Sequence, residues 1–284
     1  MAGGKSGKAL RMLGVVVLVA FVAACSTQKQ DDTAALEGLT AEQIYKRGEL
    51  ALENKKAKKD EALVYFQEVE RQYPYSEWAK RALIMQAFTL HKYKKYEEAR
   101  IAAQRYLDFY PGDEDAAYAS FLLALSYYDQ IDEVGRDQGL TYQALQALRV
   151  VIEQYPDSEY ARSAELKFDM AFDHLAAKDM EIGRYYLKRG NYTAAINRFR
   201  AVVQDFQTTS HTAEALERLV EAYLALGLTD EAQTAGAILG YNYQSSPFYQ
   251  DAFNLLKKQG LAPENKGKNW LSSVYRQMIK GEWL

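Results

Sequence analysis

Four segments of the chain end alike, Gln72-Tyr73-Pro74, Phe109-Tyr110-Pro111, Gln154-Tyr155-Pro156 and Asp205-Phe206-Gln207, and an alanine stands twelve residues before the last residue of each: Ala62, Ala99, Ala144 and Ala195. Eight residues before the same ends the chain holds Phe66, Ala103, Leu148 and Phe199, apolar each time. A fifth register follows when Ala232 is placed in the alanine column, which brings Gln244 into the proline column. A recurring small residue opposite a recurring bulky one is what two helices need to bring their axes close and fill the groove between them. Proline closes the second helix of a pair because the residue before it is pushed out of the α region. The period is loose: Pro74, Pro111, Pro156 and Gln207 are separated by 37, 45 and 51 residues.

The first helix of each pair carries its own pattern. Ile182-Gly183 is followed by Tyr186, then by Gly190-Asn191-Tyr192 and Ala195; the next unit repeats this with Leu216, Leu219, Tyr223, Gly227 and Ala232, and the second unit with Leu83, Ala87, Leu90, Tyr96 and Ala99. These columns resemble the tetratricopeptide repeat, whose period is about 34 residues. The resemblance implies an all-α fold, a tetratricopeptide-repeat α-solenoid of about five degenerate helix pairs over residues 39–246, with units near 39–75, 76–112, 113–157, 158–209 and 210–246. The third unit takes its extra length as an acidic loop over Asp129–Gly139, and the fourth as one long helix from Ser158 through Leu187. Ser246-Pro247 reads as an N-cap with proline at the first helical position, opening a short helix that Gly260 ends. Residues 247–284 then form C-terminal capping helices: Trp270, Leu271, Val274, Tyr275, Met278, Ile279 and Trp283 make an apolar stripe that either closes the stack or binds a partner.

The amino terminus is of another kind. Lys5, Lys8 and Arg11 precede thirteen apolar or small residues, Met12–Ala24, and then Cys25. That profile is a signal peptide over residues 1–24, too short to span a bilayer, which takes roughly 20 apolar residues. Val22-Ala23-Ala24-Cys25 resembles the bacterial lipobox, which implies lipidation of Cys25; an ordinary secretory signal would instead leave one free thiol in an oxidising compartment. Several acyl chains on one residue anchor a protein durably, where a single chain binds reversibly. Ser26 after the cysteine, rather than Asp, implies by the same resemblance export to the inner leaflet of the outer membrane. Residues 25–38 read as a polar, lipid-anchored tether with almost nothing to bury. Loss of the leader takes the formal charge from −3 to −6.

Composition closes several other routes. A single cysteine and three histidines, His91, His174 and His211, allow neither a disulfide framework nor a zinc site of the usual spacing, so no metal and no cofactor is expected. The near balance of 35 basic and 38 acidic residues argues against nucleic acid as a partner. Gly4-Lys5-Ser6 copies only the end of a phosphate loop, and no catalytic signature occurs elsewhere, so no enzyme activity is expected. Asp173-His174 has no nucleophile near it in sequence and reads as structural, and Lys55-Lys56-Ala57-Lys58-Lys59 as a solvated inter-helix loop.

In a repeat solenoid, binding usually sits on the face that the first helices line. In the amino-terminal units those columns hold Tyr45, Glu49, Arg81, Ile84, Phe88, His91, Tyr118, Phe121 and Tyr128. Rings with polar tips suit an extended peptide, although each ring can equally be packed between helices. The lipobox, the tether, the repeats, Val69-Glu70-Arg71-Gln72-Tyr73-Pro74 and the run Tyr185–Arg198 together resemble the BamD family, tetratricopeptide-repeat lipoproteins of the outer-membrane barrel assembly machinery. Gln207, in place of the expected proline, and the 129–139 loop depart from that pattern. The resemblance implies a non-catalytic adaptor lipid-anchored in the outer membrane and facing the periplasm. Its partners would be unfolded outer-membrane β-barrel proteins, on the aromatic columns just named, and the barrel-forming insertase BamA with its accessory Bam lipoproteins, near Arg189, Asn191 and Arg198. A generic tetratricopeptide scaffold for other envelope partners is the alternative.

Overall fold

The computed structural model describes residues 36–280 other than 55, 57, 59 and 268, and of residues 278–280 the backbone alone. The leader, Cys25, most of the tether, Lys55 and Lys59, and Trp283 fall outside them. Every regular element among the described residues is a helix: α1 (Ala41–Glu53), α2 (Glu61–Gln72), α3 (Glu77–Lys92), α4 (Tyr96–Phe109), α5 (Ala116–Tyr128), α6 (Gly139–Gln154), α7 (Ala161–Lys188), α8 (Tyr192–Asp205), α9 (Thr212–Ala225), α10 (Thr229–Asn242), α11 (Pro247–Lys258) and α12 (Trp270–Lys280). The fold is an all-α solenoid of the tetratricopeptide type. The described residues divide into two compact units between Leu123 and Ala124. In the first, α1 packs on α2, α2 on α3 and α3 on α4; in the second, contacts run from α6 through α11 in chain order, and α12 lies on α10.

The alanine column explains the pairing. Ala62, Ala99, Ala144, Ala195 and Ala232 are each no more than 1% exposed. Two pairs come closer still. A Cβ on Gly48 would stand 2.7 Å from Cε1 of Phe66, and one on Gly183 would stand 2.4 Å from Cε1 of Phe199. Both rings are fully buried, so neither can step aside.

Two kinds of turn join the helices. Within a pair, α7 ends in a Schellman motif: Gly190 has φ +74°, its N–H donates to the Leu187 carbonyl (3.0 Å), and the Asn191 N–H donates to the Tyr186 carbonyl (3.0 Å). The α3–α4 turn makes the same bonds, Lys94 to His91 and Lys95 to Leu90, with Lys94 at φ +61° where glycine is usual. Between pairs, Tyr73, Tyr110, Tyr155, Phe206 and Tyr243 share φ between −128° and −134°. In each case the N–H three residues on, at Ser76, Asp113, Ser158, Thr209 and Ser246, returns to that aromatic residue's carbonyl. Gln207 therefore keeps the turn that proline makes elsewhere.

The long helix is present, 28 residues as α7, about 42 Å at 1.5 Å per residue. Ser246 caps α11 with Pro247 at its start, and Gly260 follows the helix at φ +73°. Leu271 and Val274 of α12 enter the core of the second unit, and the Trp270 indole N–H donates to the Tyr223 hydroxyl at 3.0 Å. One expectation fails. Leu36, inside the segment read as tether, is 2% exposed and packs with Ile44 and Phe66, so the folded body begins before residue 39. A lone leucine among polar residues gives no periodicity by which to place it.

The first unit is braced by Asp113. Its carboxylate accepts from Lys80 Nζ (2.7 Å), from the buried Tyr106 hydroxyl (2.5 Å) and from the Asp115 N–H (3.1 Å). The Lys80 and Tyr106 hydrogen bonds hold its pKa down at about 2. Because the folded pKa lies below the unfolded one, the stabilisation is complete above about pH 4 and is lost as pH falls through 2. Asp113→Asn is thus expected to lower stability at pH 7, and urea unfolding at a series of pH values should find the gap to the unaltered protein closing towards pH 2. A gap that stays constant would contradict the brace.

Gly183→Ala sets two effects against each other. Alanine favours the helix by up to about 1 kcal/mol, whereas forcing a methyl into a closed core costs about 1–3 kcal/mol. With Phe199 immobile, the clash wins, and thermal unfolding should show a lowered midpoint. A raised midpoint would mean that the pair has room to spare.

Candidate functional site

The columns Tyr45, Glu49 and Arg81 come together in the first unit, and α1 and α3 bring with them a residue the sequence reading missed. The Tyr45 ring packs at 5.1 Å from Trp78 and 5.4 Å from Phe66. The Arg81 guanidinium lies over the Trp78 ring at 5.3 Å from its centroid, one helical turn along α3. Tyr45 hydrogen-bonds Glu49, and its hydroxyl is pushed up to about 12, mainly by burial and then by the Glu49 charge, with Arg81 opposing and Asp115 adding. Glu49 and Arg81 themselves are exposed. The result is a small surface on which a cation stacked on an indole stands near an exposed carboxylate and a buried phenol. It can pair with charges of both signs and with apolar side chains. Trp78 was detectable, since it stands three residues before Arg81 on the same helix face. Asp115 was not, because only tertiary packing brings it near Tyr45.

The other amino-terminal columns fall elsewhere. Ile84 and Phe121 are core residues, 6% and 8% exposed. Phe88 packs beside Ala87 and Leu90, and the half-buried His91 ring meets Tyr96 edge-on at 5.4 Å. Tyr118 is half-buried, its hydroxyl pushed up by burial and by Asp115. In the second unit, Lys167 Nζ lies 4.5 Å from the Tyr128 ring centroid, and the Tyr128 hydroxyl reaches Met170 Sδ at 3.6 Å. These columns read as surface because the apolar stripe of a first helix is wider than its outward face.

Arg189 and Asn191 flank the α7–α8 turn and Arg198 lies within α8, all exposed. The Arg189 guanidinium lies 4.5 Å from the Tyr185 ring centroid. Asn191 is the N-cap of α8 and makes no side-chain cap hydrogen bond. Arg198 Nη1 donates to Asp179 Oδ1 at 3.0 Å, so this arginine already holds a carboxylate on α7. Asp173, singled out beside His174, accepts from the Ser210 N–H (2.9 Å) and hydroxyl (2.8 Å) and lies 3.3 Å from His211 Nε2; it ties α7 to the turn before α9.

The Arg198–Asp179 pair is half open to water, with the arginine side chain 47% exposed. Exposed pairs contribute about 0–1 kcal/mol. Arg198→Ala should therefore barely move the thermal midpoint in circular dichroism. A large fall would make this arginine a structural residue and remove it from any contact surface.

Among known proteins, the profile of the YfiO family, described as outer membrane lipoprotein, matches residues 38–238. The chain is 46% identical over 257 residues to the outer membrane protein assembly factor BamD of Caulobacter vibrioides, covering 90% of this chain and 84% of that one. It is 39% identical over 250 residues to the BamD of Rickettsia prowazekii, covering 88% and 98%, and 27% identical over 255 residues to a BamD of Neisseria meningitidis, covering 86% and 95%.

Proposed function

The chain belongs to the YfiO family of outer membrane lipoproteins, and from that premise we propose that it is a non-catalytic adaptor of the barrel assembly machinery, receiving unfolded outer-membrane β-barrel proteins and presenting them to the barrel-forming insertase. Its likeness to assembly factors over most of the chain supports the general role. Among the described residues no helix is long and apolar enough to cross a membrane. In this reading, residues 1–24 are removed and lipid on Cys25 holds the body at the outer membrane, facing the periplasm.

The observation that carries client binding is the Tyr45–Trp78–Arg81–Glu49 surface. An unfolded chain offers alternating apolar side chains and unpaired backbone groups. Aromatic faces take the first, and fixed charged groups take the second. Tyr45 is mostly enclosed, so the accessible members are Trp78, Arg81 and Glu49. At the end of α7 and within α8, Arg189 and Arg198 are the groups suited to a partner's carboxylates. Asp179 orients the Arg198 guanidinium, and a partner carboxylate must share or displace that contact.

A photo-crosslinking residue placed at Arg81 should capture newly exported outer-membrane proteins in intact cells, and one at Arg198 should capture the insertase. Capture of the insertase at Arg81 and of clients at Arg198 would reverse the assignment. Capture of neither would favour a scaffold for other envelope partners.

A further inference from the structure

The second unit holds a cavity that none of the residues above explains. It is about 300 Å3 in volume and is built from three consecutive helices and the turn that follows them. Its floor is α7, where Phe168 and Phe172 stack with centroids 5.9 Å apart and 20° between planes. Phe206, after α8, continues the row at 4.9 Å from Phe172, tilted by 51°. One wall is α6, where Tyr142 and Arg149 lie two turns apart, and the other ends at Asp205. Three rings in a row make an apolar slot, and a slot at the small end of the ligand-site range suits one large side chain rather than a whole cofactor.

The rim supplies the polarity. The Arg149 guanidinium sits 5.6 Å from the Phe168 ring centroid and is exposed, and among the described residues it forms no ion pair. Asp205 on the opposite wall is likewise exposed and pairs with no cation among those residues. A free arginine beside an aromatic slot selects an anionic group attached next to an apolar one. A free carboxylate across the slot accepts backbone N–H groups from a chain lying along it.

We propose that the α6–α8 slot binds an extended polypeptide segment through an aromatic side chain followed by an acidic residue, the ring against Phe168, Phe172 and Phe206 and the acid on Arg149. This rests on reading the chain as a polypeptide-binding protein and adds a second contact surface to it, separate from that on α1 and α3.

The test is fluorescence anisotropy with the full lipid-anchored chain in nanodiscs and short labelled peptides of glycine and serine carrying one Trp-Asp, Ala-Asp or Trp-Lys pair. Trp-Asp should bind at least about tenfold more tightly than either of the others. Arg149→Glu should weaken Trp-Asp about tenfold and strengthen Trp-Lys, an exchange that a merely structural role for Arg149 could not produce. Equal binding of Trp-Asp and Ala-Asp, or an Arg149→Glu variant that binds Trp-Asp unchanged, would overturn the proposal. Arg162→Glu reverses a charge on α7 that is exposed and outside the slot; unchanged Trp-Asp binding in that variant supports the placement at Arg149, and an equal loss there overturns it. Client capture failing at Arg81 while this slot still binds peptide would count against the adaptor reading only.

Discussion

Everything in this protein depends on how closely two helices of a pair can approach. Where the first helix offers glycine, the phenylalanine of the second sits in the space a methyl would need, as Phe66 does at Gly48 and Phe199 at Gly183. Where the second helix offers alanine, that alanine is sealed from water. Interiors packed to this density do not slide, so each pair behaves as one rigid piece and the turns between pairs can be short. The same tolerance explains the spread of unit lengths: α7 is long and the α5–α6 connection is long, yet both leave the approach points untouched.

Rigidity is what gives the surface groups their meaning. Lysines and arginines on mobile helices sample many positions, but here several are held by a second contact: Arg81 on Trp78, Arg189 on Tyr185 and Arg198 on Asp179. Each keeps part of its guanidinium available in a defined direction, which lowers the ordering cost of binding. Glu217 marks the opposite case. It is buried on α9, and its pKa is pushed up to about 7 by burial against the pull of Arg218, a carboxyl group enclosed by structure rather than offered to a partner.

How much of this was legible in the sequence follows from the range of each signal. The helix pairs announce themselves through offsets of eight and twelve residues, distances at which a helical pattern is still local, and the caps at Ser246 and Gly260 are more local still. The turn after Phe206 shows why a missing proline did no harm: proline only presets a dihedral angle, and the bond from Thr209 back to Phe206 serves at every unit. Lys94 in a left-handed conformation left no mark, because a lysine, unlike glycine or asparagine, gives no signal for that shape. Ile84 and Phe121 stand in the outward columns of the sequence pattern yet lie in the core, since periodicity reports which side of a helix is apolar and not how much of it another helix covers. Asp115 near Tyr45, and Asp179 beneath Arg198, were invisible because their partners arrive from other helices.

In the function proposed above, an aromatic and charged surface on α1 and α3 holds unfolded polypeptide. Hydrogen exchange of the lipid-anchored chain, with and without a denatured outer-membrane β-barrel protein, tests it most directly. Exchange in residues 41–53 and 77–92 should slow on addition of the client. Unchanged exchange in both helices, with protection appearing elsewhere in the chain, would contradict it.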